Sequence, residues 1–210
     1  MQPEYYIGLM SGTSLDGIDA VLVDLSGDRP KLAGAHLHPF PSNLRQQLLS
    51  LTQPGDNEID RMGSADILFS QLQAQAVQQL LENTPVPAEQ IRAIGSHGQT
   101  IRHRPEFKPP FTLQIGDPNT LAEQCGIAVV ADLRRRDIAA GGQGAPLVPA
   151  FHERFLRHPD RNRIVLNIGG IANVTLLEID TSKAVLGYDT GPGNVLMDSW
   201  CQRHLGKSHD

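Results

Sequence analysis

Hydrophobic positions along the chain follow two periods, and the switches between them predict the elements. Tyr5-Tyr6-Ile7-Gly8-Leu9-Met10 and the β-branched run Ile18 to Leu25, closed by Ser26-Gly27-Asp28, read as the two strands of a hairpin. Lys31 to His38 is a candidate third strand that closes a meander, with His36 and His38 on one face in a structural role. The period then lengthens. Ile59, Met62, Leu68, Phe69, Leu72, Ala76 and Leu80 recur at helical spacing, so a long amphipathic helix is predicted from an N-cap at Asp56-Asn57 to Asn83. Gln71, Gln75, Gln78 and Gln79 fall on its solvated face.

Beyond Pro85-Val86-Pro87, short strands alternate with helices. Strands are predicted at Ile91 to Gly95, Phe111 to Ile115 and Ile127 to Ala131. One helix covers Asn119 to Cys125, capped by Asp117 or Asn119, and another opens at Pro146-Leu147-Val148-Pro149 and runs to Phe155. From Arg163 the opening pattern returns: strand Ile164 to Ile168, the turn Gly169-Gly170, strands Ile171 to Ile179 and Ala184 to Tyr188, and a helix opened by Gly191-Pro192-Gly193-Asn194 through Cys201. Alternation behind a hairpin predicts an α/β fold with a mixed sheet. The return of the pattern predicts an internal duplication, with a first domain at 1–158 and an incomplete second one at 159–210.

Composition narrows the picture. The 210 residues are 40% hydrophobic and 20% charged, which excludes intrinsic disorder. Cys125 and Cys201 form no C-x-x-C pair, which excludes a disulfide framework and a cysteine zinc site and fits a reducing cytosol. The N-terminus has no signal-like run and no apolar stretch reaches about 18 residues, so a cytoplasmic protein without a membrane span is expected. A formal net charge of -5 argues against a nucleic-acid partner.

The candidate chemistry lies in the glycine turns. Ser11-Gly12-Thr13-Ser14-Leu15-Asp16-Gly17 combines glycine with hydroxyls, a composition that lets backbone amides approach a phosphate; an ordinary solvent-exposed hairpin loop is the alternative. A second turn, Asn167-Ile168-Gly169-Gly170, strengthens the phosphate reading, and the two turns together could hold a triphosphate. Neither a Walker A sequence nor a dinucleotide fingerprint occurs. Asp189-Thr190-Gly191 sets a carboxylate at an expected strand end, where it suits a general base. The competing readings are a turn or helix-capping aspartate and an aspartic protease, which would need a second such aspartate. Arg134-Arg135-Arg136, expected at a strand end, could hold a carboxylate or phosphate. His97 and His103 lack metal-ligand spacing and suit hydrogen bonds to a polyol or phosphate.

Six blocks carry a resemblance to the anhydro-N-acetylmuramic acid kinases of bacterial cell-wall recycling: GLMSGTSLDGIDAVLVD (8–24), AIGSHGQTIRH (93–103), LQIGDPNTLAE (113–123), VVADLRRRDIAAGGQGAPLVPAFH (129–152), LNIGGIANVTLL (166–177) and GYDTGPGNVLMDSW (187–200). The resemblance implies two ribonuclease H-like domains of the sugar kinase, heat-shock chaperone and actin superfamily. It further implies ATP with Mg²⁺ of unassigned ligands, and phosphorylation of O6 of 1,6-anhydro-N-acetylmuramic acid with opening of the anhydro ring by water. On this likeness Gly12, Thr13, Ser14, Leu15, Asp16, Gly17, Ile18 and Asp19 form the ATP loop, joined by Asn167, Gly169 and Gly170. Thr100 and Arg136 contact the sugar, with His97 and Gln99 as further candidates, and Asp189 is the base. The likeness also suggests a homodimer. Family members continue past the position matching His209-Asp210, which implies a chain cut within its second domain. A non-catalytic sugar- or nucleotide-binding relic is the alternative.

Overall fold

The computed structural model describes residues 2–207. The chain forms two compact units, one up to Ala140 and one from Gly141 onward. The helix at residues 149–156 packs on a strand of the second unit and is described with it.

In the first unit β1 (Tyr5–Met10), β2 (Gly17–Asp24) and β3 (Lys31–Pro39) form the antiparallel meander that the pattern predicts. β4 (Ile91–Ser96) pairs with β1 in parallel and β7 (Val129–Val130) pairs with β4, giving the order β3-β2-β1-β4-β7. Three antiparallel strands followed by parallel ones in this order make the mixed sheet of a ribonuclease H-like domain. β5 (Gln99–Arg104) and β6 (Phe111–Ile115) form a separate hairpin.

Helix α2 (Glu58–Glu82) covers the sheet. Its buried residues Ala65, Phe69, Leu72, Ala76, Val77 and Leu80 recur at three- and four-residue steps and share one core with Ile7, Leu9, Ala20, Leu22 and Ile94. Gln71, Gln75, Gln78 and Gln79 are exposed, as their spacing requires. Asn57 holds the N-cap position in a left-handed conformation, without a capping side-chain bond. His38 is buried on β3 and lies 3.2 Å from Gln79, which agrees with a structural role. α3 (Pro118–Cys125) is capped by Asp117, which accepts from the backbone N–H groups of Asn119 and Thr120. The Thr120 hydroxyl also donates to Asp117 and is the largest of the bonds that hold its carboxyl down at about 2.

Several features differ from the sequence reading, β5 and the later start and end of β10 (Leu186–Pro192) among them. Helix α1 (Ser42–Leu51), not anticipated, follows Pro41 and buries Leu44, Leu48 and Leu51. The strand expected over Ile127 to Ala131 shortens to β7, and Asp132, at φ +63°, turns the chain into α4 (Leu133–Ala139). Arg134, Arg135 and Arg136 therefore lie on a helix and not at a strand end.

In the second unit β8 (Arg163–Ile168), β9 (Ile171–Leu177) and β10 (Leu186–Pro192) repeat the antiparallel meander. α5 (Pro149–Leu156) packs on β9, where His152 Nδ1 lies 2.9 Å from Thr175 Oγ1, both residues buried. α6 (Val195–Leu205) follows β10. No helix among the described residues is long and apolar enough to cross a membrane.

Candidate functional site

The first unit builds its candidate site where the β1–β2 connection meets the corner between β4 and β5. Within residues 11–16 the Leu15 N–H donates to Gly12 O at 3.3 Å, closing a turn. Leu15 and Ile18 are buried in the core. Thr13, Ser14, Asp16 and Asp19 are exposed, whereas Gly17 is packed against Leu37 and His38. Arg45 of α1 pins the loop from outside, donating through Nε to Leu15 O at 3.1 Å and through Nη2 to Ser14 O at 3.4 Å. That contact was illegible while α1 itself was not foreseen.

The corner is tied to the loop by Gln99, which is only 2% exposed. Ser11 Oγ donates to Gln99 Oε1, and Gln99 Nε2 donates to Gly12 O at 3.3 Å. Both ends of this carboxamide thus serve the glycine loop. Next to it Thr100 Oγ1 accepts from Gln114 Nε2 at 3.1 Å and keeps partial exposure. Gly98 makes the sharp turn at φ +74°, and a Cβ there would lie 2.7 Å from Ile115 O, so only glycine suits the position. Behind it Gln73 of α2 donates to Ser96 Oγ at 2.8 Å. This buried glutamine links the helix to the end of β4, and the outward-facing glutamines around it gave no hint of that.

His97 has its ring Nδ1 2.7 Å from Gly98 O and its Nε2 2.7 Å from Arg134 Nε. Burial first, and the Arg134 charge second, lower its pKa below the usual 6.5. Arg135 pairs with Asp132 at 3.2 Å on the surface, and Arg136 is exposed.

In the second unit Asp189 lies inside β10 and not at its end, six residues before α6 begins, so it is no helix cap. The strand register shifts between Asp189 and Gly191, a bulge of the kind that re-aims side chains beside active sites. Asn167, Asn173 and Asp189 are directly opposite one another across β8, β9 and β10, so they form one polar row on one face of the sheet. Asn173, which sequence reasoning passed over, has a buried Oδ1 without a hydrogen-bond partner. The Gly169-Gly170 turn is held by the next glycine turn: Gly193 N–H donates to Gly170 O and Asn194 N–H to Gly169 O, both at 2.9 Å. A Cβ on Gly193 would collide with Gly169 O, so the close backbone approach demands glycine.

Each unit joins the first two strands of its meander through a glycine-bearing connection, and the second unit adds a carboxylate at a strand bulge, so the chain is an α/β protein in which one meander recurs. The model of the anhydro-N-acetylmuramic acid kinase family matches residues 4–210, and the chain belongs to that family. Proteins of that name from Shewanella putrefaciens and Shewanella oneidensis are 58% and 54% identical over all 210 residues, and one from Coxiella burnetii is 54% identical. The chain spans about 57% of the length of the curated relatives it matches. Among solved structures, the ethanolamine utilization protein EutJ from Carboxydothermus hydrogenoformans overlaps 98% of this chain and 58% of its own, at 15% identity and a TM-score of 0.43.

Proposed function

We propose that the chain carries the sugar and phosphate-loop parts of an ATP-dependent kinase that phosphorylates O6 of 1,6-anhydro-N-acetylmuramic acid while water opens the anhydro bridge, in the recycling of cell-wall sugars in the cytoplasm. The observation that supports this reading most is the Gln99 link, which joins the loop at residues 11–16 to the strand bearing Thr100. A group that binds phosphate and a group that binds sugar are then parts of one rigid corner.

In this reading the loop Gly12 to Asp19, with its exposed Thr13 and Ser14 hydroxyls, serves the ATP phosphates in the first unit, and Asn167, Gly169 and Gly170 serve them in the second. Thr100 and Arg136 contact the sugar, and His97 and Gln99 support that contact from the corner. Asp189 takes a proton from the water that attacks C1. The C1–O6 bond breaks, O6 accepts the γ-phosphoryl group, and ADP leaves with the bridging oxygen of the broken phosphoanhydride. Phosphoryl transfer asks mainly for positioning and charge neutralisation, and amide-lined loops supply both. Mg²⁺ adds charge neutralisation when it arrives with ATP. No three His, Cys, Asp or Glu side chains cluster as a metal site among the described residues.

Asp189→Asn separates chemistry from binding. Turnover is expected to fall about 10²–10⁴-fold, the usual worth of a general base, while sugar affinity stays within about threefold. Turnover close to wild type would overturn the role of Asp189. A second reading, sugar or nucleotide binding without turnover, is favoured by the uncovered apolar strand β8, whose Ile164, Leu166 and Ile168 are all exposed.

A further inference from the structure

We propose that Gln114 is a positioning residue: it occupies a lone pair of the Thr100 hydroxyl and so makes that hydroxyl a hydrogen-bond donor to the sugar. The inference rests on the sugar-kinase reading above, which names Thr100 as a sugar contact, and adds the residue that sets the polarity of that contact.

The β5–β6 hairpin places Thr100 and Gln114 directly opposite one another, so their side chains share one face of the ribbon. Gln114 Nε2 carries two hydrogens, and both go to hydroxyls: to Thr112 Oγ1 at 2.8 Å and to Thr100 Oγ1 at 3.1 Å. Thr112 decides which end of the carboxamide faces this pair. It is buried and has one proton, and Arg102 O, 3.4 Å from its Oγ1, can only accept. With that proton engaged, Thr112 Oγ1 accepts from Gln114 Nε2 and meets His103 Nδ1 at 3.0 Å with its other lone pair. Gln114 Oε1 is left buried without a partner, so the whole hydrogen bonding of this side chain runs through its donor end.

The consequence falls on Thr100. A hydroxyl offers one proton and two lone pairs. Gln114 takes one lone pair, and among the described residues no acceptor takes the proton. Gln99, one residue earlier, has its carboxamide on the loop at Ser11 and Gly12, whereas Thr100 is only partly buried and keeps its proton for a ligand. The atom that meets such a hydroxyl is an acceptor oxygen. On 1,6-anhydro-N-acetylmuramic acid the acetamido carbonyl, the ring and bridge oxygens and the lactyl carboxylate are of that kind, and 1,6-anhydro-N-acetylglucosamine is the same bicyclic sugar without the carboxylate.

Titration calorimetry of the 210-residue chain with 1,6-anhydro-N-acetylmuramic acid tests the proposal through a double-mutant cycle. Thr100→Val keeps the branched shape and deletes the hydroxyl; it should weaken binding on the order of tenfold, and Thr100→Ser should keep most of the affinity. Gln114→Glu replaces the donor by an acceptor that captures the Thr100 proton. Its loss of affinity should be on the order of fivefold larger in the wild-type background than beside Thr100→Val, because the effect of the added charge is common to both backgrounds and cancels. Gln114→Leu carries no charge, should show the same coupling at about threefold, and keeps the test decisive if Gln114→Glu does not fold. The same coupling measured with the neutral sugar would put the acceptor on the shared bicycle, and coupling confined to the acidic sugar would put it on the carboxylate. Equal factors in the two backgrounds for the Gln114 variants, or Thr100→Val binding as tightly as wild type, would overturn the positioning role while leaving the kinase reading in place. A wild-type chain that binds neither sugar would overturn both.

Discussion

The meanders β1-β2-β3 and β8-β9-β10 share strand order and direction, yet their first strands differ in burial. Ile7 of β1 is 1% exposed, beneath α2 and beside the parallel strand β4. On β8 Ile164, Leu166 and Ile168 are 70%, 56% and 61% exposed, and among the described residues no strand pairs with the outer edge of β8. A three-stranded antiparallel ribbon has two faces and two edges, and its own residues close none of them. The first meander is finished by the segments that follow it, from α1 to β7. The second has α5 on one face through His152 and Thr175.

This contrast can be broken by substitution. The largest effect is expected for Phe69→Ala, which removes the biggest side chain of the α2 core and should cost about 3–5 kcal/mol in denaturant unfolding of the first unit. The matching change on the second unit, Trp200→Ala at an exposed site, should stay within about 0.5 kcal/mol. A large loss at Trp200 would mean that α6 is covered in solution. Gly193→Ala comes next: forcing a methyl into the Gly169 carbonyl should cost about 1–3 kcal/mol and speed amide exchange at Gly193 and Asn194.

Smaller effects sharpen the first unit alone. Asp117→Ala should remove about 1 kcal/mol with the cap of α3. Because the folded pKa of Asp117 is lowered to about 2 from 3.8, its contribution is present above 3.8 and fades as pH falls towards 2. The variant should lack that part of the acid limb in a stability-against-pH profile. His97 acts in the other carboxyl-free window. Its folded pKa is lowered from 6.5, so the unfolded chain binds more protons just below that pH and stability should rise with pH up to about 6.5. His97→Gln should flatten that slope, the smallest of the expected changes.

Much of this architecture is legible in the residues. The runs at Tyr5–Met10 and Arg163–Ile168 became β1 and β8, and the helical spacing from Ile59 to Leu80 became α2, because each element is written in a local run of suited residues, even where, as at Ile59 and along β8, the apolar side chains stay exposed. α1 escaped notice because three leucines over ten residues, without a capping side chain, give a weak signal. The arginine run was assigned to a strand end because nothing local announces a left-handed Asp132. The site shows the same limit. Glycine turns announce themselves by composition, whereas the Ser11–Gln99 and His97–Arg134 bonds join residues 88 and 37 positions apart and depend on the folded corner. Gln99, a candidate for the sugar by resemblance, has both ends of its carboxamide on the loop at Ser11 and Gly12, a link that no local pattern announces.

The proposed chemistry makes one demand that binding cannot imitate: the new oxygen at C1 must come from water. Incubation of the chain with ATP, Mg²⁺ and 1,6-anhydro-N-acetylmuramic acid in ¹⁸O-water, read by mass spectrometry, should give N-acetylmuramate 6-phosphate with the label on the C1 hydroxyl and none in the phosphate. A phosphorylated sugar that keeps its anhydro bridge, a label in the phosphate, or no product beyond a no-protein control would contradict it.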